Sequence, residues 1–238
     1  MTLRLVVTGY YLMMDWSDID TVLFDMDGTL LDLHFDNYFW EQLVPLSWAQ
    51  QLGISQDEAW LRLSQHYQQL QGKLDWYCID YWTKTLQLDI RSLKHGSRER
   101  IKLRPNVEPL LAGLRNHQKK LVLVTNAHPD SLGLKMRETC LGKYFDATIS
   151  SHELGRAKEN PGFWTSLQTR EYFEPARTAL FDDNLHVLRQ AQSESIRYLY
   201  AIHQPDSQRA PVTTAEFPQI RDFAEILPST KLSAGEHQ

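Results

Sequence analysis

The sequence of 238 residues has few cysteines, no long apolar run and no excess of positive charge. Its two cysteines, Cys78 and Cys140, are far apart, so we interpret them as free thiols in a reducing cytoplasm. No stretch reaches the length of a membrane-spanning helix without a charged residue, which argues against a membrane partner. The net charge of −5 argues against a nucleic-acid polymer as partner. These absences favour a cytoplasmic protein that acts on a small molecule.

The composition is that of an ordinary globular protein, with 42% hydrophobic and 23% charged residues. A chain of this length can form one large domain, or a core with a smaller insert. Residues 1–14 contain a short apolar run but no small-residue cleavage site. We therefore expect Met13 or Met14 to be the true start, with the preceding residues as an upstream extension. The polar residues 229–238 are expected to form a frayed tail.

Five short apolar runs predict buried parallel β-strands. They are residues 21–24, 121–125, 147–150, 178–182 and 197–201. Helical segments separate several of these runs, among them residues 107–117, 129–141 and 184–193. Strands that alternate with helices predict an α/β fold with a doubly wound, Rossmann-like parallel sheet. In such a sheet the functional site lies beyond the carboxyl ends of the strands.

The segment between the first and second predicted strands is far longer than one crossover needs. Within residues 34–103, apolar and aromatic residues recur at helical spacing, as at Trp60 and Leu63. We therefore predict a small α-helical cap domain at residues 34–103. It is inserted after the first strand into a core made of residues 15–33 and 104–228.

Two aspartates, Asp25 and Asp27, follow the first predicted strand, and Gly28 then lets the chain turn away. A carboxylate buried there without a partner is costly. A hard divalent ion such as Mg²⁺ removes that cost, because it prefers oxygen ligands. Thr125 and Asp182 end two further strands, so all these side chains are expected to converge at one edge of the sheet.

Other positions near these strand ends suit a phosphate or metal site. The Thr125 hydroxyl and the Asn126 backbone N–H suit a phosphate oxygen, although Asn126 also suits the first position of a helix. A lone lysine in a loop, such as Lys158, is usually a solvated surface residue. Asp182 and Asp183 are adjacent acids that repel each other unless a cation or hydrogen bonds intervene.

The run from Asp25 to Thr29 resembles the first motif of the haloacid dehalogenase-like hydrolase superfamily, and the later positions resemble its other motifs. The resemblance implies that Asp25 is a nucleophile that forms an aspartyl-phosphate and that Asp27 is the general acid/base. It implies phosphate binding by Gly28, Thr125, Asn126 and Lys158, and it makes Lys158 a catalytic residue that neutralises the phosphate and the nucleophile. It implies Mg²⁺ binding by Asp25, Asp27 (through its backbone carbonyl), Asp182 and Asp183, with Asp182 as the better ligand and Asp183 acting indirectly or through water. Glu159 stands where the related subfamily has a proline after the lysine, and Arg156 is a rival cation.

Three longer runs, residues 30–40, 76–82 and 123–129, resemble the GMP/IMP 5′-nucleotidases of this superfamily. The resemblance implies a Mg²⁺-dependent phosphomonoester hydrolase whose partner is a purine nucleoside monophosphate. The side chains that can contact the base are Asp36, Asn37, Tyr38, Trp40, Trp76 and Tyr77. Equally, the aromatic residues can fill the core of the cap, and Asp36 or Asn37 can cap a helix.

Two other functions stay open at this point. One is a phosphatase or mutase of small sugar phosphates or phosphoglycolate, since the core motifs do not discriminate between these substrates. The other is a catalytically silent module that binds nucleotides, which the presence of all four motifs disfavours. Dehalogenases typically lack the acid/base aspartate, and Asp27 is present.

Overall fold

A parallel sheet of six strands forms the centre of the computed structural model, which describes residues 14–229. The strands are β1 (Thr21–Phe24), β2 (Lys120–Thr125), β3 (Ala147–Ser150), β4 (Thr178–Asp182), β5 (Tyr198–Ile202) and β6 (Gln219–Ile220). Their spatial order is β3-β2-β1-β4-β5-β6, and every neighbouring pair is parallel. The order reverses between β1 and β4, and this switch point is where doubly wound sheets bind ligands.

Helices cover both faces of the sheet and form the connection between β1 and β2. They are α1 (His34–Tyr38), α2 (Val44–Leu52), α3 (Gln56–Leu70), α4 (Ile79–Leu86), α5 (Ile90–Gly96), α6 (Val107–Asn116), α7 (Pro129–Thr139), α8 (Phe163–Arg170) and α9 (Leu185–Ser193). A π-helical turn, Phe39–Leu43, joins α1 to α2 without a break. Such turns shift the helix face that follows them.

The sheet is buried on both sides because successive side chains of a strand point to opposite faces. In β1, Val22 and Phe24 belong to the hydrophobic cluster on one face, and Leu23 belongs to the cluster on the other. All four residues of β1 and all five of β4 are buried. This explains why both strands read as continuous apolar runs rather than as alternating patterns.

The helical insert, residues 34–100, has a hydrophobic cluster of its own. Its buried centre includes Phe39, Leu63 and Trp82. The chain returns to the sheet layer where the Arg104 N–H donates to the Leu30 carbonyl at 2.9 Å. The insert therefore begins and ends beside the loop that follows β1.

The predicted α/β fold with a doubly wound parallel sheet is confirmed. The first five strands lie within one residue of their predicted positions, but the two-residue strand β6 was missed. The boundaries of a separate cap domain stay a prediction. The predicted upstream extension and polar tail fall almost wholly on residues 1–13 and 230–238, outside the described residues. Among residues 14–229, no helix combines the length and apolar character needed to cross a membrane.

Candidate active site

The carboxyl ends of β1, β2 and β4 meet at one edge of the sheet, beneath the helical insert. Asp25 directly follows β1, and its N–H donates to the Phe181 carbonyl of β4 at 2.9 Å. Thr125 and Asp182 are the last residues of β2 and β4. These ends form the floor of a cavity of about 1100 Å³, whose walls include residues of the insert. The predicted convergence of the strand-end side chains is therefore observed.

Lys158 lies between two of the carboxylates and is only 2% exposed. Its Nζ donates to Asp25 Oδ1 at 2.5 Å and to Asp182 Oδ2 at 2.7 Å. Burial favours the neutral amine, but the two carboxylates outweigh burial and raise the pKa of Lys158 above its usual value. The lysine stays positively charged at the floor of the cavity. The rival cation, Arg156, is exposed and donates to the Pro161 carbonyl instead.

Three carboxylates form a group with the geometry of a metal site. One oxygen each from Asp25, Asp182 and Asp183 lies within 4.8 Å of the other two. Burial raises the pKa of Asp25 to about 6, with a further contribution from Asp182. Burial and the charges of Asp25 and Asp182 raise the pKa of Asp183 well above its usual value. Lys158 therefore offsets only part of the negative charge of these three carboxylates.

The donor set fits a divalent cation. Asp25 Oδ2 is buried and accepts no hydrogen bond from residues 14–229. An orphaned carboxylate oxygen is costly, and all the donors here are oxygens, which hard cations prefer. Gly28 has φ +83°, and a Cβ atom there would lie 2.4 Å from Asp183 Oδ2. Glycine is needed at this position because any larger residue would displace the Asp183 carboxylate.

The side chain of Asp27 lies apart from this three-carboxylate group. Lys135 Nζ, which lies on α7, donates to Asp27 Oδ1 at 2.7 Å. Burial raises the pKa of Asp27 to about 6, because Lys135 offsets it only in part. Asp27 and Asp25 line the same cavity, so a carboxyl that can exchange a proton near neutral pH is available beside Asp25.

Thr125 and Asn126 shape the loop that leaves β2. Thr125 Oγ1 accepts the Ala127 N–H at 3.0 Å, and Asn126 Oδ1 accepts the Lys158 N–H at 2.9 Å. The alternative that Asn126 caps the next helix is wrong, because His128 occupies that position before α7. Asn126 instead fixes the backbone of Lys158, and both residues line the cavity.

Residues 19–189 match the family model of the haloacid dehalogenase-like hydrolases. The chain belongs to this family. The predicted membership is confirmed, and the protein is a hydrolase.

Three relatives of this hydrolase are informative. The GMP/IMP nucleotidase YrfG of Escherichia coli (strain K12) is 39% identical over 214 residues, which cover 90% of this chain and 96% of the relative. A phosphorylated carbohydrates phosphatase of Thermotoga maritima is 21% identical over 201 residues, which cover 77% of this chain and 85% of that relative. The crystal structure of a phosphatase of this family from Thermococcus onnurineus matches this chain with a TM-score of 0.73 and 26% sequence identity. The match covers 87% of this chain and 95% of that phosphatase.

Of the six insert residues predicted to contact a base, five line the cavity of this hydrolase: Asp36, Asn37, Trp40, Trp76 and Tyr77. Among residues 14–229, the cavity-lining set does not include Tyr38, whose ring lies 3.9 Å from the Arg100 guanidinium carbon. Trp40 also packs in the insert core, with its ring centroid 5.8 Å from that of Trp82. The Tyr38 ring packs against Arg100, so substrate contact by Tyr38 stays a prediction that the cavity does not support.

Tyr77 and Glu159 connect the insert to the core at the cavity. The Tyr77 hydroxyl donates to Glu159 Oε1 at 2.8 Å, and Asn126 Nδ2 donates to Glu159 Oε2 at 2.9 Å. Burial and the Glu159 charge raise the pKa of Tyr77 well above its usual value, so the phenol keeps its proton. The glutamate that replaces the expected proline thus positions both Tyr77 and Asn126.

Asp36 is held by two buried lysines that the sequence reasoning missed. Lys94 Nζ donates to Asp36 Oδ1 at 2.7 Å, and Lys135 Nζ donates to Asp36 Oδ2 at 2.6 Å. Both carboxylate oxygens are therefore engaged, so the structure disfavours recognition of a base edge by Asp36. A signal for Lys135 was present: it lies three residues after Leu132, on the buried face of α7, where a charge needs a partner.

We predict that Asp36→Asn lowers the free energy of unfolding by about 3 kcal/mol, because it leaves two buried ammonium groups short of negative charge. Burial raises the pKa of Asp36, but Lys135 and Lys94 outweigh burial and hold it below its usual value. The stabilisation that the Asp36 carboxylate provides is therefore complete when the pH is above about 3.9, the pKa of an aspartate in the unfolded chain. This stabilisation declines as the pH falls below that value. Urea unfolding at several pH values measures this.

The matched control is Asp57→Asn, which changes an exposed aspartate in the first turn of α3 and should cost less than about 1 kcal/mol. Equal costs for the two variants would contradict a buried ion-pair role for Asp36.

Proposed function

We propose that this hydrolase is a Mg²⁺-dependent 5′-nucleotidase that removes phosphate from GMP and IMP, with Asp25 as the nucleophile. The observation that carries the proposal is the buried Lys158 between Asp25 and Asp182, at the floor of a cavity walled by aromatic residues. The 39% identity to the GMP/IMP nucleotidase YrfG supports the choice of substrate.

Lys158 and the strand ends prepare the site for a phosphoryl group. The charge of Lys158 reduces the repulsion between the Asp25 carboxylate and an anionic phosphate. Thr125 and Asn126 line the same cavity. Their backbone N–H groups and the Thr125 hydroxyl can donate hydrogen bonds to phosphate oxygens there. Asp25, Asp182, Asp183 and the Asp27 carbonyl would hold a divalent cation, which would supply further neutralisation of negative charge on the phosphoryl group.

The reaction needs one nucleophile and one proton carrier. A carboxylate oxygen of Asp25 forms a bond to phosphorus as the bond from phosphorus to the nucleoside oxygen breaks. Asp27 donates its proton to that departing oxygen. It then takes a proton from the water that attacks the aspartyl-phosphate, and inorganic phosphate leaves. The pKa of Asp27, raised by burial to about 6, suits both transfers near neutral pH.

The insert supplies the surface for the nucleoside. Trp40, Trp76 and Tyr77 line the cavity and offer flat aromatic faces on which a purine can stack. Asn37 lines the cavity as well, with its Nδ2 bound to Asp206 Oδ2 at 2.7 Å and its carbonyl oxygen left for a donor on the base. In this proposal the insert acts as the cap that selects the substrate.

A substrate panel tests the proposal. With Mg²⁺ present, we expect kcat/KM for phosphate release from GMP and IMP to exceed that from pyrimidine monophosphates by at least about tenfold. The Thermotoga maritima relative favours a second candidate, a sugar-phosphate phosphatase. Preference for glucose phosphates or phosphoglycolate would support that candidate. Nucleotide binding without phosphate release from any substrate of the panel would contradict both candidate functions and favour a catalytically silent binding module.

We also predict that Mg²⁺ raises the melting temperature more at about pH 7.5 than at about pH 5. Burial raises the pKa of Asp25 to about 6 and raises the pKa of Asp183 well above its usual value. Between about pH 4 and about pH 6, the folded metal-free protein still holds the protons of these carboxyls, whereas the unfolded chain has already lost them. The free energy of unfolding of the metal-free protein therefore falls as the pH rises through this range. A cation competes with those protons, so its stabilising effect grows through the same range.

Calorimetry with Mg²⁺ and with a chelator measures the two melting temperatures. Asp183→Asn should reduce the Mg²⁺-dependent increase. An increase of the same size at both pH values would contradict a cation site built from these carboxylates.

A further inference from the structure

A second group of metal-ligating side chains lies apart from the three carboxylates. Cys78, His128 and His152 each offer one ligand atom, and these atoms lie within 4.8 Å of one another. Cys78 precedes α4 in the insert, whereas His128 precedes α7 and His152 follows β3 in the core. The group therefore joins the insert to the core.

His152 has a buried nitrogen with no partner. Its Nε2 is inaccessible to solvent and forms no hydrogen bond with any residue in the described range 14–229. A buried imidazole nitrogen without a partner carries a cost in the metal-free protein. A metal ion would remove that cost.

The donors match a borderline-soft metal rather than Mg²⁺. One sulfur and two imidazole nitrogens suit Zn²⁺, which binds sulfur at about 2.3 Å and nitrogen at about 2.0–2.1 Å in a tetrahedron. Such a tetrahedron places neighbouring ligand atoms about 3.5 Å apart. The three ligand atoms lie within 4.8 Å of one another, so a contraction of at most about 1.3 Å reaches that spacing.

The surroundings are compatible with ligation. Cys78 Sγ accepts the Tyr81 N–H at 3.4 Å, which fixes the position of the sulfur at the start of α4. The His128 side chain is 13% exposed, so an ion can enter from solvent. Asp80 Oδ2 lies 3.6 Å from His128 Nε2, so a carboxylate or a water molecule can take the fourth position.

We propose that Cys78, His128 and His152 form a zinc-type site that fastens the insert to the core at the edge of the cavity. His128 lines the cavity, and Cys78 is adjacent to Tyr77, which also lines it. A bound metal would therefore link the insert to the core directly beside the cavity.

Titration of the full-length protein with Co²⁺ in excess Mg²⁺ tests the site. Mg²⁺ occupies the carboxylate group, and a thiolate ligand to Co²⁺ produces a sulfur-to-metal charge-transfer absorption in the near ultraviolet. We expect this absorption to saturate at one Co²⁺ per chain and to be competed away by Zn²⁺. We expect Cys78→Ser to abolish it, and His152→Ala to weaken Co²⁺ binding by at least about tenfold.

Two controls separate this site from the other thiol and from the catalytic group. Cys140→Ser changes the exposed cysteine and should leave the absorption unchanged. Asp25→Asn should also leave it unchanged, so the result does not depend on the proposed nucleotidase activity. Absorption that persists in Cys78→Ser, or disappears in Cys140→Ser, would overturn the proposal.

A second measurement uses the unmodified protein and needs no variant to fold. Zn²⁺ should slow alkylation of Cys78 by at least about tenfold, with Cys140 in the same sample as the internal reference. Equal protection of both cysteines, or none, would overturn the site.

Discussion

The variant Asp25→Asn is expected to lose at least about 10⁴-fold in kcat for phosphate release, because an amide cannot attack phosphorus. The fold should persist. Burial raises the pKa of Asp25, so a neutral side chain is tolerated there, and Lys158 keeps its bond to Asp182 at 2.7 Å. Phosphate release and the melting temperature, measured together, separate loss of chemistry from loss of structure.

Asp20→Asn is the matched control, since it changes an aspartate beside the opposite end of the same strand. Asp20 is exposed and pairs with Arg177 Nε at 2.5 Å. This variant should keep its activity within about twofold, since exposed ion pairs contribute little. Activity of Asp25→Asn within tenfold of the natural protein would contradict the assignment of the nucleophile.

Replacement of Lys158 by methionine should impair both stability and activity. It leaves Asp25 and Asp182 buried with no cation between them, which costs about 3–5 kcal/mol. The lost positive charge should also reduce kcat by about 10³-fold, as for other groups that stabilise a transition-state charge. Mg²⁺ should restore part of the stability, because a cation near the carboxylates replaces part of the missing charge. Urea unfolding with and without Mg²⁺ measures the first effect, and phosphate release measures the second.

Arg156→Met is the control for this variant. It removes a positive charge two residues away, from an exposed side chain that donates to the Pro161 carbonyl. Its free energy of unfolding should change by less than about 0.5 kcal/mol. If Arg156→Met lost more activity than Lys158→Met, the cation at the site would have been misassigned.

The sequence predicts the sheet and the floor of the site well, because local signals suffice there. β1 and β4 are continuous apolar runs, and the parallel arrangement brings their carboxyl ends to one edge. The strand β6 escaped notice because two residues carry no periodic pattern.

The walls of the site could not be predicted with the same success, since they depend on how helices are rotated against one another. Asp36 is a polar residue near the start of a helix, and only the packing of α5 and α7 shows that Lys94 and Lys135 surround it. The same holds for Tyr38, which faces Arg100 rather than the cavity. Their positions follow from tertiary contacts between segments distant in sequence.

The central claim is that Asp25 carries the phosphoryl group during the reaction, and the variant Asp27→Asn offers the most direct test. Without the carboxylate that activates water, this variant should lose hydrolysis of the intermediate more than its formation. After incubation with GMP and Mg²⁺, acid quenching and peptide mass mapping should show one phosphoryl group, located on Asp25. Release of phosphate with no phosphorylated peptide, or a phosphoryl group on another residue, would contradict the account.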